Sequence, residues 1–315
     1  MSILRRVPTA AVRTTVIVVT WRGVDVVGAC LDALAQQRRA HRVLVVDNAS
    51  EDGTDMVLAT HPSAPRIVRL AHNTGFAGGI AAGVARVRTP YVAWLNDDAR
   101  PDPGWLATLE DELTADTAAV ASRLQHDDGT VQSFGVALTP DAHGYDIVRE
   151  NQSPFAFCGG AALLRVAALR AVGGVPAGFF CYYEDTDTAW RLRLAGWRIG
   201  SAPNAIVYHR HGTSSVLGSN SFHRWNERNR LLMLLRCAPA RVATAQCARF
   251  AALTLALAIR RRRTTDAPPN HRVGIRLRVV VGVLIRWPGT LLFRHRVRGI
   301  TRVERGTVWQ LWAGR

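Results

Sequence analysis

The chain of 315 residues contains no lysine: all 40 of its basic residues, and with them a formal charge of +16, are arginine. That absence removes GxxxxGK[ST], the phosphate loop of nucleoside triphosphatases. No GxGxxG follows the first predicted strand, so a dinucleotide site has no fingerprint, and no HExxH helix offers a zinc site. Cysteine is sparse and scattered. Cys30, Cys158, Cys181, Cys237 and Cys247 form no CxxC pair or His/Cys cluster, and read as reduced thiols in apolar surroundings. The opening MSILRRVPTAAVR is basic but lacks the apolar core of a secretory signal.

Acid is missing from one region in particular. Residues 236–315 hold 17 Arg and 2 acidic residues, against 23 Arg and 22 acidic residues in 1–235. This asymmetry divides the chain into a catalytic domain, 1–235, and a basic, partly apolar helical extension, 236–315. The extension's runs FAALTLALAI (250–259) and LRVVVGVLIRWPGTLLF (277–293) suit helices lying on an anionic membrane, where apolar burial and charge attraction add. Two helices packed on the catalytic domain would read the same way. A span is disfavoured, because Arg286 and Pro288 interrupt the second run. No finger, helix-turn-helix or RNA-binding signature accompanies the charge, so nucleic acid is not an expected partner.

The first 100 residues alternate strand and helix. TTVIVVTW (14–21), HRVLVVD (41–47), RIVRLA (66–71) and YVAWLN (91–96) read as strands, with VVGACLDALAQQ (26–37) and FAGGIAAGVARV (76–87) as helices between them. This is the pattern of a mostly parallel α/β sheet flanked by helices, whose ligands sit at the carboxyl ends of the strands. Asp47, Asn48, Asn73, Asp97 and Asp98 all fall there. Gly75, Gly78 and Gly79 open the helix after Asn73, either to let phosphate approach its amino end or to pack it tightly on the sheet.

Two acidic spots stand out. Asn96, Asp97 and Asp98 follow YVAWL directly and are hard oxygen donors suited to Mg²⁺ or Mn²⁺ on a diphosphate. Asp98 is the first choice as ligand, and Asp97 a contact to metal or ribose. The second spot is Glu184, Asp185 and Asp187, after the apolar and aromatic FFCYY, in the first turn of a predicted helix. Apolar surroundings keep a carboxylate basic enough to act as a general base. Asp187 is read as a bystander. His209 and His211, in YHRHGTSS, are candidates for the metal shell or a phosphate contact. The stretch FCGGAALLRVAALRAVGG (157–174) reads as a glycine turn, a small helix and a second turn.

Taken together, VIVVTWRG, VLVVDNASEDGT, HNTGFAGG, LNDDARPDPGWL, CGGAALLR, FFCYYEDTDTAWRLRLAGW, YHRHGTSS and RWNERNRLLML resemble the family 2 glycosyltransferases over residues 14–236, nearest the rhamnosyltransferase-like and galactofuranosyltransferase-like branch. The resemblance implies a GT-A fold, a nucleotide-sugar donor and inversion at the anomeric carbon. It implies Asp47 on the pyrimidine base, Thr20 in the donor site, Asn96 to Asp98 as the metal motif, Asp185 as catalytic base with Glu184 orienting the acceptor, and His209 on metal or diphosphate. Arg228, in an RN motif, would lie near the donor phosphates. Asn96 stands where commoner forms of the metal motif have Asp, which leaves Asp98 as the ligand.

The resulting expectation is metal-dependent sugar transfer, with dTDP-rhamnose favoured over UDP-galactofuranose or another UDP-hexose. The acceptor would be a polyprenyl-linked or other glycan of the cell wall or surface polysaccharide, met peripherally at the cytoplasmic face of the inner membrane. A polymer synthase is disfavoured by the lack of a QxxRW motif and clear spans. Nucleotidyl transfer and non-catalytic sugar-nucleotide or membrane binding are the alternatives.

Overall fold

The computed structural model describes residues 11–210, 218–259 and 268–313. His211 lies outside the described residues. The chain opens with β1 (Thr14–Thr20), α1 (Val27–Ala35), β2 (His41–Asp47), α2 (Thr54–Thr60), β3 (Arg66–Arg69), α3 (Gly75–Val84) and β4 (Tyr91–Asn96), the alternation expected from the sequence. These four strands pair in parallel in the order β3-β2-β1-β4. β1, β2 and β4 are buried on both faces along most of their length, alternate residues facing opposite sides, while β3 is an exposed edge strand. Ile17, Val19, Leu44, Val46 and Trp94 meet α3 on one side, while Val16, Val18, Val45 and Leu95 meet α1 and α2 on the other.

The second half of the sheet is mixed. It contains β5 (Ala99–Pro101), β6 (Thr117–Gln125), β7 (Val131–Ser133), β10 (Ala161–Arg165) and β11 (Arg198–His209), with α4 (Trp105–Asp111) packed on the α1 face. Between β7 and β10 lies a small hairpin of β8 (Val136–Leu138) and β9 (Gly144–Asp146). The sheet continues from β4 through β10, β6 and β11 to β5. β10 runs antiparallel to both β4 and β6. The sequence reading of residues 157–174 as turn, helix and turn therefore missed a strand. Its AALL core has helix-forming residues, and only burial between two strands makes it extended. The helix of that stretch is real but begins later, as α5 (Val166–Ala171).

Next comes α6 (Glu184–Leu194), followed after β11 by α7 (Asn220–Cys237), α8 (Ala240–Ile259), α9 (Val273–Ile300) and α10 (Arg305–Trp312). α7 runs across the expected domain boundary at 235/236. α9 lays Ile275, Val279, Val283, Thr290 and Val297 inward along one face, against α7 and the core beyond it. The arginines of this region are not all solvent charge. Arg294 donates to the carbonyls of Leu235 and Ala238, and Arg305 to those of Arg236 and Cys237, so two guanidiniums cap the carboxyl end of α7. Arg276 joins α9 to α8 through Thr254 Oγ1 and the Phe250 carbonyl, both at 3.0 Å. α10 returns toward α6, where Trp312 packs on Phe155 and its ring lies 3.7 Å from the Arg193 guanidinium.

The outer faces of α8 and α9 remain apolar. Leu255, Ile259, Leu284, Ile285 and Leu292 are each more than 60% exposed. Among the described residues, α8 alone is long and apolar enough to cross a membrane, and little of it is buried in the fold.

Candidate active site

The carboxyl ends of β1, β2 and β4 converge. Asp47, the last residue of β2, is buried; its Oδ1 accepts from the Ser50 amide at 2.9 Å, and its Oδ2 from Arg69 Nη1 at 2.9 Å. Asn48 beside it accepts from Thr74 N at 2.8 Å and donates to the Gly75 carbonyl at 3.0 Å, fixing the start of α3 against β2. Asn73 Oδ1 accepts from Gly75 N at 2.8 Å. Gly75 has φ +73°, and a Cβ there would fall 2.1 Å from the Phe180 carbonyl, which accepts from Ala77 N. Gly78 and Gly79 sit against Thr74 and Val19 with no room for a Cβ. These glycines therefore have a packing cause. The amides of Thr74, Gly75 and Ala77 already have protein acceptors, so the start of α3 is not the open phosphate cradle considered above.

The first acidic spot is assembled as the sequence suggested, with a partner it did not reveal. Asp98 and His209 are both buried, with Oδ1 and Nε2 3.1 Å apart, because β11 returns antiparallel to β5 and places His209 opposite Ala99. His209 Nδ1 donates to Gln132 Oε1 at 2.9 Å, which fixes the tautomer with its lone pair on Nε2. Asn96 Nδ2 donates to that lone pair at 3.0 Å. Nε2 without a proton repels the Asp98 oxygen, and with one it opposes the Asn96 amide. Asp98 and His209 are both donor types for Mn²⁺ and converge at 3.1 Å, so the pair fits two ligands of a divalent metal once the Asn96 amide turns away from Nε2. The described residues contain no cluster of three His, Cys, Asp or Glu side chains, so such an ion would take its other ligands from water or diphosphate. Asp97 is pushed up to about 6, mainly by burial, with the Thr20 hydroxyl beside it pulling down and Asp98 pushing up.

The second acidic spot opens α6. Asp185 Oδ2 accepts from Gly159 N at 2.9 Å, and Oδ1 from Thr186 N and Oγ1. Burial raises both Asp185 and Glu184, Glu184 well above the usual carboxylate range with Asp185 adding to it. At Asp185 those donors oppose burial by favouring the ionised form. Asp187 is wholly buried and pairs with Arg191 at 2.8 Å and Arg236 at 3.2 Å, joining α6 to α7.

Ahead of α6 the backbone is strained. Phe180, Tyr182 and Tyr183 have φ of +69°, +71° and +67°. Asn229 Nδ2 lies 2.8–2.9 Å from the carbonyls of Phe179, Cys181 and Tyr182, and Arg228 Nη2 donates to Phe179 O at 2.6 Å. Arg228 braces this loop, with its Nε on Asn229 Oδ1 at 2.9 Å.

Two glycines unite the spots. Gly159 N binds Asp185, and the carbonyl of Gly160 accepts from Asn96 N at 3.0 Å. A Cβ on Gly159 would lie 3.3 Å from Asp185 and 3.5 Å from Glu184. The motif CGG had marked this turn without assigning it. A cleft of about 150 Å³ is lined by Trp21, Asn48, Asn73, Phe76, Asp97, Phe180 and Trp225, among others. A larger cavity of about 430 Å³ opens at the amino ends of β1–β3, and no expected site residue lines it. The clustered acids and strand topology favour the smaller cleft. Gln132 and Trp225 were missed: Trp225 stands in the quoted stretch RWNERNRLLML without a role given to it, and Gln132 belongs to no motif and arrives on a three-residue strand.

The profile of glycosyl transferase family 2 matches residues 15–173. A pre-mycofactocin glycosyltransferase of Mycobacterium tuberculosis is 28% identical over 191 residues, covering 58% of this chain and 40% of that protein. The chain thus spans well under half the length of that relative. An N-acetylglucosaminyl-diphospho-decaprenol L-rhamnosyltransferase of the same organism is 25% identical over 207 residues, covering 55% and 67%. A mannosyltransferase of Pyrobaculum calidifontis, solved with GDP-Man and Mn²⁺, superposes with a TM-score of 0.55 at 18% identity, covering 89% of this chain and 88% of that one. S. aureus TarS 1-349, solved with UDP-GlcNAc, gives 0.54 at 15%, covering 95% and 92%. These superpositions establish the GT-A fold. With the profile matching half of its length, the chain belongs to glycosyl transferase family 2.

Proposed function

We propose that the protein transfers a hexose, with inversion, from a nucleoside diphosphate sugar to a hydroxyl of a lipid-linked glycan. The observation that carries this is the Gly159–Gly160 turn, which holds the base-forming Asp185 on one side and the Asn96–Asp98–His209 cluster on the other. Direct displacement needs this separation, with a base for the attacking hydroxyl and charge stabilisation for the leaving diphosphate on the opposite face. Asp185, kept ionised by Gly159 and Thr186, takes the acceptor proton. Glu184, protonated, orients the acceptor. Asp98 and His209 would hold Mn²⁺ or Mg²⁺, which when bound neutralises charge on the diphosphate. Trp21 and Asn73, which line the cleft, are assigned to the nucleoside, together with Asp47 at the end of β2, Thr20 and Asp97.

The rhamnosyltransferase relative supports dTDP-rhamnose as donor and a polyprenyl-diphosphate glycan as acceptor. The exposed apolar faces of α8 and α9 support peripheral residence on an anionic membrane, at the cytoplasmic face where nucleotide sugars are made. The test is nucleotide release from dTDP-rhamnose and UDP-hexoses, with and without polyprenyl-diphosphate acceptor, in Mn²⁺ or Mg²⁺. Asp185→Asn and Asp98→Asn should each reduce turnover by at least about 10²-fold, and Asp185→Asn should still bind donor. Donor binding by the wild type without turnover on any acceptor would refute transfer.

A further inference from the structure

A second cavity, of about 390 Å³, lies between α9 and the turn at 173–179. Val175, Phe179, Leu232, Ile285 and Phe293 give it apolar walls, and Arg286 stands among its lining residues. It is not isolated from the chemistry. Phe179 lines this groove while Phe180 and Cys181 line the active-site cleft, so one strained loop is the wall between the two. Nor is it isolated from the molecule's apolar exterior. Ile285 is 71% exposed and continues into Leu284 and Leu292 on the outer face of α9.

Positive charge gathers at the same place. The Arg228 side chain passes close to Gly282, 3.1 Å from where a Cβ would stand, and Arg286 lies one helical turn further along α9. Arg228 is pushed down to about 10 by burial and by the charges of Arg286 and Arg224. Of the two arginines that line the groove, Arg236 is already paired with Asp187, whereas Arg286 is exposed and available to an anion. Floor space is unused as well: a Cβ on Gly289 or on Gly178 meets no atom within 4 Å.

We propose that this groove takes the first isoprene units of a polyprenyl-diphosphate acceptor, with the diphosphate on Arg286 and the remaining chain leaving over α9. The proposal rests on the lipid-linked reading of the acceptor. It adds the place and the polarity of binding: the anionic head sits beside the loop whose other side faces the sugar donor, and the tail points toward the apolar exterior. A chain lying along α9 emerges over Leu284 and Leu292, where it re-enters lipid without crossing water.

The experiment measures binding of geranylgeranyl diphosphate and geranylgeraniol to the full chain by tryptophan fluorescence, with inorganic diphosphate as a competitor. Gly289→Trp fills the groove and should weaken both ligands by at least about ten-fold. Arg286→Glu should weaken the diphosphate by a similar factor and leave the alcohol unchanged. Melting midpoints show whether each variant is folded, and Arg286→Glu, being at an exposed position, decides the matter if Gly289→Trp is not. Wild type that fails to bind geranylgeranyl diphosphate, or variants that bind both ligands as wild type does, overturn the proposal. Thermal shift of the wild type by nucleotide sugars is followed in parallel. Its absence, with prenyl binding and both variant effects intact, would defeat the sugar-transfer reading while leaving the groove supported.

Discussion

At the scale of single residues, Glu184 and Gln132 show what the fold demands of its site. Glu184 is buried against Asp185, and its carboxyl is raised in the folded protein. A raised carboxyl stabilises the fold relative to the ionised unfolded chain at low pH, and that contribution is lost as pH rises toward the folded value. Glu184→Gln carries no such penalty. Its melting temperature should therefore equal that of wild type well below pH 4.5, the ordinary value of the group, and exceed it increasingly above. Melting curves across pH check this; a gap that closes with rising pH would contradict it. Gln132→Leu removes the acceptor that fixes the His209 tautomer. It should weaken Mn²⁺-dependent donor binding by roughly ten- to a hundred-fold, with little change in melting temperature without metal. Asp98, His209, Glu184 and Asp185 were legible in the sequence because strand ends and helix starts are local patterns. Gln132 was not, because it acts only through a residue 77 positions away.

At the scale of elements, the parallel half of the sheet was readable because each strand is a β-branched or apolar run bounded by turns. β10 was not, since Ala and Leu do not choose extension until β4 and β6 flank them. The loop before α6 is another case. Phe and Tyr are poor candidates for positive φ, and nothing local predicts it. Asn229, from α7, holds that geometry from outside by reaching three carbonyls. Asn229→Ala leaves these buried acceptors without their donor and should destabilise the fold by roughly 2–3 kcal/mol. It should also lower kcat by releasing Asp185 from its position. Equilibrium urea unfolding and steady-state kinetics test the two effects, and a variant as stable as wild type would show that the loop holds itself.

At the scale of the whole molecule, charge and apolarity are distributed unequally. The arginine-rich extension was legible as membrane-seeking or domain-packing, and the described helices do the second with one face while leaving the other apolar. Composition could not separate the two, because helix faces are resolved only once α7 provides a partner for α9. Flotation should recover the protein with phosphatidylglycerol vesicles and much less with phosphatidylcholine alone. Binding should weaken with salt, and Leu284→Glu with Leu292→Glu should abolish it. Equal flotation with both lipids would remove the charge contribution.

The return of α10 onto α6 also sets an order of events during synthesis. Trp190 of α6 stacks on Trp309, and Phe155 packs at a tilt on Trp312, so α6 completes its surroundings with residues translated at the end of the helical extension. The amino-terminal sheet has all its own partners early, whereas α6 waits on the ribosome with an apolar flank uncovered. A nascent chain stalled before α10 should accordingly be sensitive to protease near α6 while its parallel strands are already protected.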